Sequence, residues 1–318
     1  MDEQKILIGV GCSHTQGSAF IVGPETPDEH GTYELASPQL KEKYKTNRVG
    51  EEFITNLSWV GKLNKYLKYD KVLNFGLGGR GLESNIRSLR SYTYKVKDLS
   101  NHLIIIMPAP ATRKEVLYLN PKKEYTGDFF SRINEHEVHP EYKTIQGYSN
   151  YVLDGHLTHG IEDIHPNASL KKNYFENYYH EEYFEYNSIM DLYYLQDYLE
   201  LKGAKVFICV TLAGYGASEL SVNHFYEKLI NNSNKWYDFF TPEHSFYTEL
   251  QTPPNIKEII KNINWLFSIN KDKSLYLSAK KEGFSLHEAG LVYDDRHLTE
   301  LGNEVLAEGL YSELKNHE

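Results

Sequence analysis

Cysteine is nearly missing from this 318-residue chain: there are two, Cys12 and Cys209. Both lie in apolar runs that read as buried strands, so no disulfide framework is expected and a reducing compartment is the natural setting. Methionine and tryptophan are also scarce, with three of each. No apolar stretch approaches the length a bilayer requires. The first residues set acids ahead of a short apolar run, without a small-residue cleavage site, and do not read as a signal peptide. The expected location is the cytoplasm of the producing cell. Basic charge is in deficit, 34 Lys and Arg against 44 Asp and Glu, for a formal net charge of -10. That balance argues against a sequence-independent nucleic-acid binder, which needs a basic face to displace counterions. What is present is a globular composition, 40% hydrophobic and 25% charged, with an unusual 26 tyrosines.

Short apolar runs alternate with helix-period segments, the pattern of βαβ units and a parallel sheet. Ile6 to Val10 form the first strand candidate, ending at Gly11-Cys12-Ser13-His14-Thr15. A Pro/Gly/Glu-rich stretch over residues 23–56 reads as a long loop or lid. Trp59, Val60, Leu63 and Leu67 recur at helical spacing, and Val72 to Phe75 form a second strand followed by the glycine cluster Gly76-Leu77-Gly78-Gly79-Arg80-Gly81. Ser84 is placed to cap a helix carrying Ile86, Leu89 and Val96. Leu103 to Met107 form a third strand that stops at Pro108. From about 108 to 185 the pattern breaks down into a Tyr/His-rich segment too long for a simple connection, which reads as an insertion in a single domain spanning 1–318. Order returns with a helix bearing Ile189, Leu192, Leu195 and Leu199, then a fourth strand at Val206 to Val210. A further helix carries Ile256, Ile259, Ile260 and Ile263, and Ser274 to Ser278 is the candidate fifth strand. A closing helix carries Leu301, Val305, Leu306, Leu310 and Leu314. The expected fold is α/β, with a mostly parallel five-stranded sheet and an insertion between strands three and four.

In such a sheet ligands bind where loops converge at the carboxyl ends of the strands. Ser13 follows strand one, the glycine cluster follows strand two, the Pro108–Arg113 turn follows strand three, and Asp294 and His297 immediately precede the last helix. Serine is a poor nucleophile until a neighbouring base takes its proton. His297 is the candidate base, with Asp294 three residues earlier as the carboxylate that orients it and Asp295 as the alternative. A developing oxyanion needs preorganised donors, for which the backbone N–H groups of Ser13 and of Gly79 (or Gly78) are candidates.

These blocks resemble the SGNH (GDSL-like) hydrolase superfamily. Gly11-Cys12-Ser13-His14-Thr15 is similar to its first block, Asn74-Phe75-Gly76-Leu77-Gly78-Gly79 to the block supplying an oxyanion glycine, and Asp294-Asp295-Arg296-His297-Leu298-Thr299-Glu300-Leu301-Gly302 to its final block. With Trp59 and Ser84-Asn85-Ile86-Arg87, the ordered set resembles SGNH-like proteins of bacteriophages. The resemblance implies a flavodoxin-like three-layer α/β/α sandwich and hydrolysis of a short-acyl, O-acetyl ester of a carbohydrate through a serine acyl-enzyme, with no metal or organic cofactor. Two positions depart from the family pattern. The third block's oxyanion Asn has no counterpart in Met107-Pro108-Ala109-Pro110-Ala111-Thr112-Arg113, where Thr112, or Asn85 from elsewhere, would have to substitute; an unfilled donor costs about 3 kcal/mol. Cys12 also stands where the family has Asp.

Other readings compete for some residues. Asp154, His156, His159, Glu162, Asp163 and His165 have the density of a metal site but precede strand four and read as a polar loop. The run Tyr174, Phe175, Tyr178, Tyr179, Tyr183, Phe184 and Tyr186 reads as a satellite core of the insertion, with sugar stacking or a protein partner as its functional alternatives. A non-catalytic binding or virion-associated protein that keeps the same fold is the alternative to the esterase.

Overall fold

The computed structural model describes residues 4–22, 30–76, 81–108, 114–119, 151–157, 181–209, 259, 261–266, 290, 291, 293 and 297–317. In chain order the elements are β1 (Ile6–Gly11), α1 (Ser13–Gln16), β2 (Thr32–Glu34), α2 (Pro38–Tyr44), β3 (Arg48–Gly50), α3 (Glu51–Leu57), α4 (Trp59–Leu67), β4 (Lys71–Gly76) and α5 (Leu82–Lys95). They continue with β5 (His102–Met107), β6 (Lys114–Leu119), β7 (Tyr151–Leu157), α6 (Glu181–Glu200), β8 (Lys205–Cys209), β9 (Trp265–Leu266) and α7 (Glu300–Lys315).

Five strands form one sheet in the order β4-β1-β5-β8-β9, and every pairing in it is parallel. Counting only these strands along the chain, the order is 2-1-3-4-5, the flavodoxin-like doubly wound arrangement. Alternation along the strands decides which side each residue faces. Ile8, Val10, Ile104, Ile106, Val206 and Ile208 pack with Leu89 of α5 and with Ile189, Leu192, Leu195 and Leu199 of α6. Leu7, Leu103, Ile105, Met107 and Cys209 pack on the opposite face with Trp59, Val60 and Leu63 of α4 and Leu306, Leu310 and Leu314 of α7. The result is a three-layer α/β/α sandwich. β5 lies at the centre, buried along its whole length, and each Leu or Ile buried there contributes about 1.5 to 3 kcal/mol. Both cysteines are buried and unbonded to each other. Among the described residues no helix is long and apolar enough to cross a membrane.

The structure corrects three expectations. Residues 30–57 are not a loop. β2 and β3 pair antiparallel, α2 and α3 flank them, and Phe20, Ile21, Leu35, Leu40, Val49, Ile54 and Leu57 make a third core cluster. Its strands are only three residues long, too short to display a period. Ser84 lies inside α5, whose N-cap is Gly81. Among the described residues the sheet's fifth strand is Trp265–Leu266, a two-residue edge strand whose main-chain pairing leaves almost no pattern; the candidate strand at Ser274 to Ser278 lies outside the described residues. Leu301 is exposed in α7 instead of joining the apolar stripe, while Asn303 is buried there. Between strands three and four of the sheet the chain contributes the antiparallel ribbon β6-β7.

Candidate active site

β1 ends at Gly11, flanked in register by Gly76 of β4 and Met107 of β5. The strand order reverses between β1 and β5, so the crevice of a doubly wound sheet opens at this point. A Cβ on Gly11 would collide with Thr15 Oγ1 and lie 2.7 Å from the Met107 carbonyl oxygen. Glycine here is what lets the chain turn directly from strand into α1 and bring Ser13 to the sheet's rim. Cys12 serves as the N-cap of α1, and Gly17 closes it in the left-handed region at φ 84°, its N–H donating to the Ser13 carbonyl. Neighbouring elements hold this turn. Asn74 of β4 donates through Nδ2 to the Thr15 carbonyl at 2.8 Å and accepts from the Gly76 N–H at 2.9 Å. Trp59 Nε1–H donates to Thr15 Oγ1 at 3.3 Å. Asn85 of α5, wholly buried, donates to the Gly11 carbonyl at 3.0 Å. Its amide nitrogen is thus engaged with the strand end. As the first residue of α1, Ser13 has a backbone N–H with no acceptor inside the helix.

His297 arrives from the other end of the chain on a loop that closes on itself. The Tyr293 N–H donates to the His297 carbonyl at 2.9 Å, and the Thr299 N–H donates to Leu291 at 3.0 Å. Thr299 caps α7 by accepting from the Gly302 N–H at 3.0 Å, and its hydroxyl donates to the Gly290 carbonyl at 2.7 Å. Asn303 donates from Nδ2 to the Thr299 carbonyl at 2.9 Å. A Cβ on Gly302 would run into the Leu291 carbonyl oxygen, so glycine in the first turn of α7 lets the histidine loop lie flat on the helix.

The two arms meet. His297 Nε2 lies 2.8 Å from Ser13 Oγ, within the reach a general base needs. Ser13 is buried, and so is its neighbour His14, whose ring sits against that of His297 with centroids 5.0 Å apart. An alcohol and an imidazole in this relation can pass a proton between them.

Charge is organised beside the site. Glu300, three residues beyond His297, accepts from Lys43 at 2.7 Å and from Tyr44 at 3.0 Å. Burial would raise the Glu300 carboxyl, but the Lys43 and Tyr44 hydrogen bonds and the nearby Lys62 outweigh it and hold it below its ordinary value. The first turn of α7 is thereby tied to α2 and α4.

Of the residues singled out from sequence, Ser13 and His297 are brought together and Asn85 lies beneath Gly11. Asp294, Asp295, Gly78, Gly79, Thr112 and Arg113 lie outside the described residues. Asp154 and His156 fall on β7, while His159, Glu162, Asp163 and His165 are not described. Tyr183, Phe184 and Tyr186 fall on α6, and the rest of that aromatic run lies outside the described residues. Among the described residues no group of three or more His, Cys, Asp or Glu is arranged to hold a metal. The supporting roles of Asn74 and Asn303 were not anticipated. Each reaches backbone carbonyls of a turn with its side-chain amide, Asn74 that of Thr15 and Asn303 that of Thr299, and polar groups removed from water there require partners.

No family model matches the chain, and no curated protein matches it. Solved structures do show similarity. A catalytic mutant of an acetylxylan esterase from Geobacillus stearothermophilus aligns over 99% of this chain and 96% of its own, at 11% identity and a TM-score of 0.44. An alpha/beta hydrolase enzyme from the metagenome of Lake Arreo aligns over 98% and 95%, at 9% identity and a TM-score of 0.43. A member of the lipolytic protein G-D-S-L family from Veillonella parvula aligns over 97% of each chain, at 12% identity and a TM-score of 0.39. These scores are low, and the architecture rests on the sheet order and register described above.

Proposed function

We propose that this chain is a serine esterase of the SGNH type, acting on a short-acyl, O-acetyl ester carried by a carbohydrate. The observation that carries the reading is the 2.8 Å approach of His297 Nε2 to Ser13 Oγ at the switch point of the sheet. His297 takes the Ser13 proton as Oγ bonds to the ester carbonyl carbon. The tetrahedral oxyanion is held by the N–H groups of Ser13 and Gly79. As it collapses, the bond to the alcohol oxygen breaks, and the imidazolium returns its proton to that oxygen. A water, deprotonated by the same imidazole, then attacks the acyl-enzyme, releasing acetate and restoring the Ser13 hydroxyl. Asp294 is assigned to the second nitrogen of His297, where it orients the ring and stabilises its charged form. The ordered blocks around Ser13, Asn74 and His297 support these roles by their resemblance to the superfamily.

The test is acetate release from acetylated xylo-oligosaccharides, and p-nitrophenol release from its acetate ester, by the purified protein and by Ser13→Ala. The expected result is turnover that falls at least about 10³-fold in the variant, with a fluorophosphonate adduct mapped to Ser13. A protein inert to all these reagents, with its fold intact, sinks the esterase reading in favour of a binding role.

A further inference from the structure

Ser13 and His14 are consecutive residues of α1, and both reach His297. Ser13 Oγ meets its Nε2 at 2.8 Å, and the His14 ring lies against its ring, planes tilted by 36°. His14 is buried, and no step of the proposed reaction uses it. Hydrogen bonds at its ring nitrogens fix an imidazole at points along its edge and leave the plane free to turn about the line that joins them. Proton transfer depends on the nitrogen lone pair facing the hydroxyl, so pivoting has a direct cost in rate. A second ring packed against the first removes that freedom.

We propose that His14 is a positioning residue for His297, its ring forming the wall that keeps Nε2 aimed at Ser13 Oγ. One four-residue helix then carries both the nucleophile and the surface that orients its base, so the two cannot drift apart. That helix is itself anchored through Thr15, by Asn74 on its carbonyl and Trp59 on its hydroxyl. The catalytic meaning of this arrangement rests on the esterase reading; its structural content rests on the ring geometry alone.

Ring order and turnover separate the two. In protein carrying ¹³C-labelled histidine, relaxation of the His297 ring carbons, assigned by their loss in His297→Gln, reports ring motion whether or not an ester is cleaved. The ring is expected to be ordered in wild type, loosened in His14→Ala and ordered again in His14→Phe. In parallel, kcat toward p-nitrophenyl acetate falls roughly 10- to 100-fold in His14→Ala with KM little changed, and most of it returns in His14→Phe. Should His14→Ala not fold, His14→Leu, which has bulk without a planar ring, substitutes with the same expected loss. A His297 ring as ordered in the alanine or leucine variant as in wild type overturns the inference. A ring that loosens and is restored by Phe, in a protein inert to esters and fluorophosphonate, supports the positioning role while ending the esterase assignment.

Discussion

Lys62 of α4 and Glu304 of α7 are joined by a 2.9 Å ion pair, and the Lys62 ammonium also reaches Glu300 at 3.5 Å. Lys62 is buried, and burial alone would lower its pKa, but Glu304 and Glu300 outweigh that and hold it above the ordinary value. The pair fastens the helix that follows His297 to the helix that begins with Trp59.

This network has a definite pH signature. Glu300 and Glu304 both have carboxyls held below the ordinary value of 4.5: burial pushes each up, and lysine contacts outweigh it. A carboxyl depressed in the folded state contributes stability above its unfolded value and loses it as pH falls through the folded one. Lys62→Met should therefore lower stability by about 1 to 3 kcal/mol at neutral pH, the loss shrinking once both carboxyls are protonated. Urea denaturation at neutral pH and near pH 3 checks this; an equal deficit at both values argues against the network.

His102 opens β5 and pairs through Nε2 with the Tyr92 hydroxyl at 2.8 Å. Burial lowers its pKa from 6.5, against the opposing pull of the Leu99 carbonyl and Asp98. A histidine depressed on folding contributes stability above its unfolded pKa and loses it as pH falls toward the folded value. Wild type should thus lose melting temperature between about pH 7 and pH 5, and His102→Gln should show a flatter profile. Parallel profiles would remove His102 from the account.

Asn74 donates to the Thr15 carbonyl in the turn that carries Ser13 and to Ser58 Oγ at 3.3 Å, and accepts from the Gly76 N–H. Asn74→Ala removes its bonds to the Thr15 carbonyl and from the Gly76 N–H, while Ser58 keeps its bond to the Thr55 carbonyl, an expected cost of about 1 to 3 kcal/mol. Because Thr15 lies two residues from Ser13, kcat should fall with stability. Full activity in a destabilised variant would show that the turn holds its shape without Asn74.

Gly302 and Gly50 form a matched pair for alanine substitution. A Cβ at Gly302 meets the Leu291 carbonyl, whereas one at Gly50 meets nothing within 4 Å. Gly302→Ala should displace the loop bearing His297, costing about 1 to 3 kcal/mol and most of the turnover. Gly50→Ala should stay within about 0.5 kcal/mol of wild type. Melting curves and esterase assays of both variants decide it.

The strands that are long and apolar were legible because their signal is local. Ile6 to Val10 and Leu103 to Met107 announce burial on both faces, and the helices of Trp59, Ile189 and Leu306 show their stripes within a few turns. The three-residue strands β2 and β3 and the two-residue β9 carried no such signal; their positions come from partners in space, Arg48–Gly50 for Thr32–Glu34 and Cys209 for Leu266. The proximity of Ser13 and His297 was inferable from motif order. The ring of His14 beside that pair was not, because a histidine after a serine says nothing about which way it turns.

Sequence alone determined the kinds of element, the parallel sheet, and the alcohol and imidazole available for chemistry, since hydrophobic period and turn residues act over a few neighbours. Tertiary structure alone decided that residues 284 positions apart share a hydrogen bond, that residues 30–57 build a third core cluster with Phe20 and Ile21, and that asparagines at 74, 85 and 303 brace the turns carrying Ser13 and His297. Those outcomes depend on strand order and on where polar groups find partners once water is excluded, and neither is encoded by any short stretch of chain.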